Sequence, residues 1–287
     1  MSIISHSTDS FKDITSSGWL VTVLNFASDL DYFAPLKERM NVKMKKVIYS
    51  VVNKLQTLMC SVIVGCRYTS DINERLVPDT VAANMLSMDR FPDQSQINEL
   101  LRRMTSENVE ELREVHRDLF IKHSLILSEP RRIIVDIDQT GLTAEGETFE
   151  LTEKGYFPER RGTKGYKLSA AYVGGDSSEV LSAYLDPGDV HCISRFDDLF
   201  EDIKLCLKGI SPDSQVVIRA DSGYGSKDSI NKLLQSGYSF VVKGYSSETS
   251  KNLACQLSWD DWEEVKPGVH TAEYTRAHAY GKARVVV

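Results

Sequence analysis

Ile133-Ile134-Val135-Asp136-Ile137-Asp138-Gln139-Thr140 joins a run of β-branched residues to two aspartates. Such a short apolar run predicts a strand buried on both faces, as at the centre of an α/β sheet. Side chains alternate along a strand, so Asp136 and Asp138 share a face. Burying a carboxylate is costly unless it is paired or bound to metal, so acids in this place need a partner.

Upstream of Ser128-Glu129-Pro130 the sequence has a helical period, which sets an all-helical region at residues 1–128 before an α/β region at 129–287. Ile48, Val51, Val52, Leu55, Leu58, Met59, Val62 and Ile63 recur at three- and four-residue steps and are expected on one buried face. A proline stop at Pro92, with Asp93 or Ser95 as N-cap, predicts a helix from about Gln96 to Met104. Another helix, from about Glu107 to His123, would turn Val109, Leu112, Val115, Leu119 and Phe120 inward. These last two helices suit either a helix-turn-helix or a supporting bundle.

Downstream, strands are expected at Tyr166–Val173, Val180–Leu185, Gln215–Ala220 and Tyr238–Val242, with helices near Ile193–Leu207 and Ser226–Gln235. Short links between the early strands imply an antiparallel meander, whereas the later strand-helix-strand part needs a parallel crossover. The fold class is therefore α/β, a mixed sheet flanked by helices. The chain stops on the strand-like run Arg284-Val285-Val286-Val287, which gives the expectation of a fold cut short.

Bulk properties narrow the classes. With 287 residues and 41% hydrophobic content the chain can bury real cores. The most apolar stretch, Val47 to Val64, is broken by Asn53, Lys54 and Gln56, so no membrane span is expected. Its start lacks a secretory pattern, which makes the cytoplasm the default. Five widely spaced cysteines without a C-x-x-C pair read as reduced, mostly buried thiols. The net charge of −7 argues against a uniformly basic coat and leaves room for a local basic face.

A second acid closes a second strand in Val216-Val217-Ile218-Arg219-Ala220-Asp221-Ser222-Gly223-Tyr224-Gly225. Sites in open α/β sheets form at the carboxyl ends of strands, so adjacent strands would bring Asp138 and Asp221 together. Hard divalent cations relieve the repulsion between two carboxylates, which points to a Mg2+ or Mn2+ site. Asp136 is either a further ligand or the partner of Arg219, one strand away. Arg160, Arg161, Lys164 and Lys167 form a basic cluster able to hold DNA phosphates, or a solvated loop. Lys43, Lys45 and Lys46 suit a solvated face, His191 a loop residue, and Trp259 and Trp262 packing rather than base stacking. Asp136-Ile137-Asp138-Gln139-Thr140 also fits the D-x-D-x-T opening of haloacid dehalogenase-like phosphatases, with Asp136 as nucleophile and Asp138 as acid-base. Against it, no crossover helix is expected next, and Asp221 has no acid four residues on.

Four motifs in order are more specific than any one. Asp138-Gln139-Thr140, Lys164-Gly165-Tyr166-Lys167, Tyr184-Leu185-Asp186-Pro187-Gly188-Asp189-Val190-His191 and Arg219-Ala220-Asp221-Ser222-Gly223-Tyr224 together resemble bacterial insertion-sequence transposases of the DDE type. The resemblance covers roughly Ile133 to Val242 and implies an RNase H-like core that cuts and joins double-stranded DNA at transposon ends and target. It implies two metal ions held roughly 3.5–4 Å apart, with Asp138 bridging them and Asp221 binding one. A dimer on DNA follows from synapsis of two ends. The family's third acid, a glutamate on a later helix, is expected beyond Val287, since Glu263, Glu264 and Glu273 fall before that helix. An inactive DNA-binding remnant of a mobile element is the non-enzymatic alternative.

Overall fold

A computed structural model describes residues 15, 17–45, 48–144, 146, 149–158, 160–175, 178–276, 278 and 280–287. Lys46, Val47 and the start through residue 14 lie outside them. The chain divides into two compact units, Met1–Leu119 and Phe120–Val287, ahead of the expected 128/129 boundary.

The first unit holds helices α1 (Gly18–Asp29), α2 (Ala34–Arg39), α3 (Val51–Ile63), α4 (Asp71–Arg75), α5 (Thr80–Met85), α6 (Gln94–Arg103) and the greater part of α7 (Ser106–His123). Ser50 and Asn53 cap α3 reciprocally, and Asp93 is the cap of α6, accepting from Gln96 N at 3.1 Å. One core gathers Leu20, Leu24, Cys60, Ile72, Phe91 and Ile97, and a second gathers Leu36, Leu55, Leu100 and Val115.

The expected face of α3 is only partly realised: Leu55 is buried and Val51, Leu58 and Met59 pack against the cores, but other positions depart. Ile48 and Val62 are 75% and 71% exposed, while Lys54, Thr57 and Ser61 are buried beside Leu55 and Cys60. Thr57 and Ser61 donate to Asn53 O and Leu58 O of their own helix, which lets small hydroxyls face the core without outside partners. Val109, expected inward on α7, is exposed. Lys43 and Lys45 are exposed, as read.

The second unit opens with β1 (Arg132–Thr143), β2 (Glu153–Lys154), β3 (Lys164–Val173) and β4 (Val180–Pro187), followed by α8 (Phe196–Cys206), β5 (Gln215–Ala220), α9 (Lys227–Ser236) and β6 (Ser239–Val242). β1, β3 and β4 form the antiparallel meander, β5 runs parallel to β1, and β6 parallel to β5. Spatial order is therefore β4-β3-β1-β5-β6, with β2 also on the outer edge of β3. Three antiparallel strands followed by two parallel ones in this order make the sheet RNase H-like. Ile133, Val135, Ile137, Ile218 and Ala220 pack with Leu199, Phe200 and Ile203 of α8.

After the sheet come α10 (Ser247–Ala254), the hairpin of β7 (Glu263–Lys266) and β8 (Val269–Thr271), and the pair β9 (Glu273–Tyr274) and β10 (Val285–Val286). All five cysteines are free. Cys60 and Cys206 are buried, Cys66 and Cys192 half-buried, and Cys255 exposed, so fewer are buried than expected. Among the described residues no helix is long and apolar enough to cross a membrane.

Candidate active site

The parallel ladder between β1 and β5 ends with Ile137 opposite Ala220. Asp138 and Asp221 are the next residue on each strand, so they stand level and on the face opposite the buried Ile137 and Ala220. Backbone amides orient both: Asp138 Oδ1 accepts from Gln139 N at 2.8 Å and Asp221 Oδ1 from Gly223 N at 2.9 Å. Asp221 thereby caps the 3-10 turn Ser222–Tyr224 that leads into α9. Neither Oδ2 accepts a hydrogen bond from the described residues.

Two neighbours feel both acids. Burial raises the Cys192 thiol above its ordinary range, and the charges of Asp221 and then Asp138 add to the rise. Burial likewise raises the Tyr224 hydroxyl; Cys192, Asp138 and Asp221 push the same way and the Ser169 hydroxyl pulls against them. Ser169 itself accepts from Gln139 Nε2 at 3.0 Å, tying the residue after Asp138 to its register partner on β3.

Asp136 is drawn elsewhere. Both its oxygens accept from Arg219, Oδ1 from Nε and Oδ2 from Nη2 at 2.7 Å, so of the two expectations for Asp136 the ion pair is the one realised. The phosphatase alternative loses its nucleophile to that pair, and β1 continues into an antiparallel partner where that fold needs a crossover helix.

An open cleft of about 1050 Å³ begins at Gln139, Thr140 and Asp221 and extends past Lys154, Arg160 and Lys167. Arg161 and Lys164 are exposed but outside its lining. Lys167 Nζ is engaged, donating to Tyr156 O and lying 4.6 Å over the Phe157 ring. Lys154, which the sequence reading missed, lies opposite Lys164 across β2 and β3. The two-residue strand carrying it leaves no periodic signal. His191 lines the cleft, and its Nδ1 accepts from Ile193 N at 3.3 Å, in keeping with a loop role. Packing fails for Trp259, which is 93% exposed.

The chemistry of the donors suits a hard divalent cation: two ionisable carboxylates, each with a spare oxygen, beside a polar cleft. No group of three metal-ligating side chains exists among the described residues. Glu263 and Glu264 are exposed on β7, and Glu273 pairs with Arg284 at 2.9 Å.

A family model described as transposase DDE domain group 1 matches residues 9–279. Among solved structures, the Mos1 transposase paired-end complex with left transposon end is similar at 13% identity and a TM-score of 0.27, over 84% of this chain and 80% of that one. The Mos1 mariner paired end complex with Mn gives 13% and 0.27 over 82% and 81%, and the Mos1 strand transfer complex 14% and 0.26 over 85% and 81%. No curated protein matches.

Proposed function

Because the chain belongs to the transposase DDE domain group 1 family, we propose that it cleaves DNA at the ends of an insertion sequence and joins those ends to a target, with Asp138 and Asp221 holding Mg2+ or Mn2+. The observation that carries this is the level placement of the two carboxylates where the parallel ladder of β1 and β5 ends. A divalent cation bound there supplies Lewis-acid charge for phosphoryl transfer.

The chain's own residues supply the rest. The amides of Gln139 and Gly223 fix one oxygen of each carboxylate and leave the other without a hydrogen bond from the described residues. Lys154 and Arg160 carry positive charge along the same cleft and would bind backbone phosphates. Lys167 also lines that cleft, and the exposed Arg161 and Lys164 would extend the phosphate track. In this reading the helical region contacts transposon ends, two copies pair on DNA because two ends must meet, and the enzyme works in the cytoplasm.

The test is Mn2+-dependent cleavage of a duplex carrying the element end. Asp138→Asn and Asp221→Asn should each slow it by about 10²-fold or more, the kinetic equivalent of several kcal/mol of lost charge stabilisation. Cleavage that survives either substitution would exclude the pair as the catalytic centre.

A further inference from the structure

Asp136, Asp138 and Asp221 share one face of two neighbouring strands, where Asp138 and Asp221 are exposed and Asp136 is buried. Asp136 precedes Asp138 by two residues, Arg219 precedes Asp221 by two, and Asp136 and Arg219 are direct partners in the parallel register. The guanidinium meets the carboxylate as a two-pronged fork, each oxygen receiving one N–H. Asp136 is nearly buried, its side chain 11% exposed, while that of Arg219 is 59% exposed and keeps much of its hydration. Gly174 makes room for this arrangement: a Cβ there would stand 2.7 Å from Asp136 Oδ2.

Resting on the cation site proposed above, we infer that Arg219 serves as a resident cation for Asp136, withholding a third carboxylate from the site of Asp138 and Asp221. An arginine suits this task because its charge is permanent and its fork matches a carboxylate. A buried carboxylate deprived of its partner is left uncompensated, which is costly unless another cation takes the partner's place. The metal proposed at Asp138 and Asp221 would lie two residues further along each strand on the same face. Arg219 is thus a positioning residue, acting through Asp136.

The experiment is Mn2+ titration by calorimetry, with pulsed EPR in 17O-water to count waters on the ion. Arg219→Gln should bind Mn2+ on the order of tenfold more tightly than wild type, as expected when ligand charge rises by one, with one bound water fewer. Adding Asp136→Asn to Arg219→Gln should return both readouts to the wild-type level. Arg219→Lys, whose single ammonium cannot serve both oxygens, should give a smaller rise that Asp136→Asn also cancels; it stands in should the glutamine variant not fold. An unchanged water count, an unchanged or weaker affinity in Arg219→Gln, or a rise that persists without Asp136 overturns the inference while leaving Asp138 and Asp221 intact. Absence of Mn2+ binding by the wild-type chain removes the cation site itself, and this role with it.

Discussion

Cys192 sits where both candidate ligands act on it, which makes its thiol a reporter of their charge. Its pKa is raised by burial first and by Asp221 next, so at a mildly alkaline pH less of it is thiolate than of an ordinary cysteine. Asp221→Asn removes one of the raising charges; the pKa falls and alkylation at fixed pH speeds up. Peptide mass spectrometry after iodoacetamide treatment, with exposed Cys255 as internal standard, would show this, and an unchanged or slower rate at Cys192 would contradict the placement of Asp221. At this scale the sequence was informative about acids and silent about their surroundings. An aspartate closing a β-branched run stands out, and both Asp138 and Asp221 could be named on that ground, although in the fold both are exposed and it is Asp136 that is buried. Cys192 could not, because a chain excursion through β4 and its following turn brings it to Gly223, where a Cβ would lie 2.3 Å from its Sγ.

Among elements, the corner where β2, β3 and β4 meet is the least tolerant of change. A Cβ on Gly165 would approach Leu142 O to 2.2 Å and the Phe157 ring to 2.9 Å, and one on Gly155 would meet Gly188 O at 1.7 Å. Phe157, 3% exposed, is seated among Gly141, Gly165 and Gly188 and so anchors the loop that carries Arg160. Gly165→Ala should cost about 1–3 kcal/mol through overpacking, read from urea denaturation; a neutral result would show that the corner can relax. In α3 the expected loss is smaller: Ser50→Ala removes the reciprocal cap with Asn53 and should lower stability by about 1 kcal/mol. That helix also explains a partial misreading. Its period was visible, but the helix packs on two cores and is buried or half-buried along most of its length, so hydrophobic spacing alone could not say which side faces in. Thr57 and Ser61 can face inward because they bond back to their own backbone, a possibility that hydrophobic counting overlooks.

For the molecule as a whole, the net charge of −7 sets a limit on DNA binding: attraction must come from the local strip of Lys154, Arg160 and their neighbours and must weaken quickly with salt. Lys154→Ala should lower affinity for duplexes of any sequence and reduce the slope of log K against log salt by about one, measured by fluorescence anisotropy; an unchanged slope would place the DNA elsewhere. The antiparallel meander and the parallel crossover were legible from the links between strands, whereas the spatial order with β1 at the centre was not. The elements after β6 were not, because strands of two to four exposed residues leave no pattern. The central claim is that Asp138 and Asp221 form one cation site. A double-mutant cycle on Mn2+ affinity tests it most directly, comparing wild type, Asp138→Asn, Asp221→Asn and the double variant by calorimetry. Shared coordination should make the effects strongly non-additive, each single substitution removing most of the binding that the double removes. Independent, additive losses, or affinity that neither substitution alters, would contradict it.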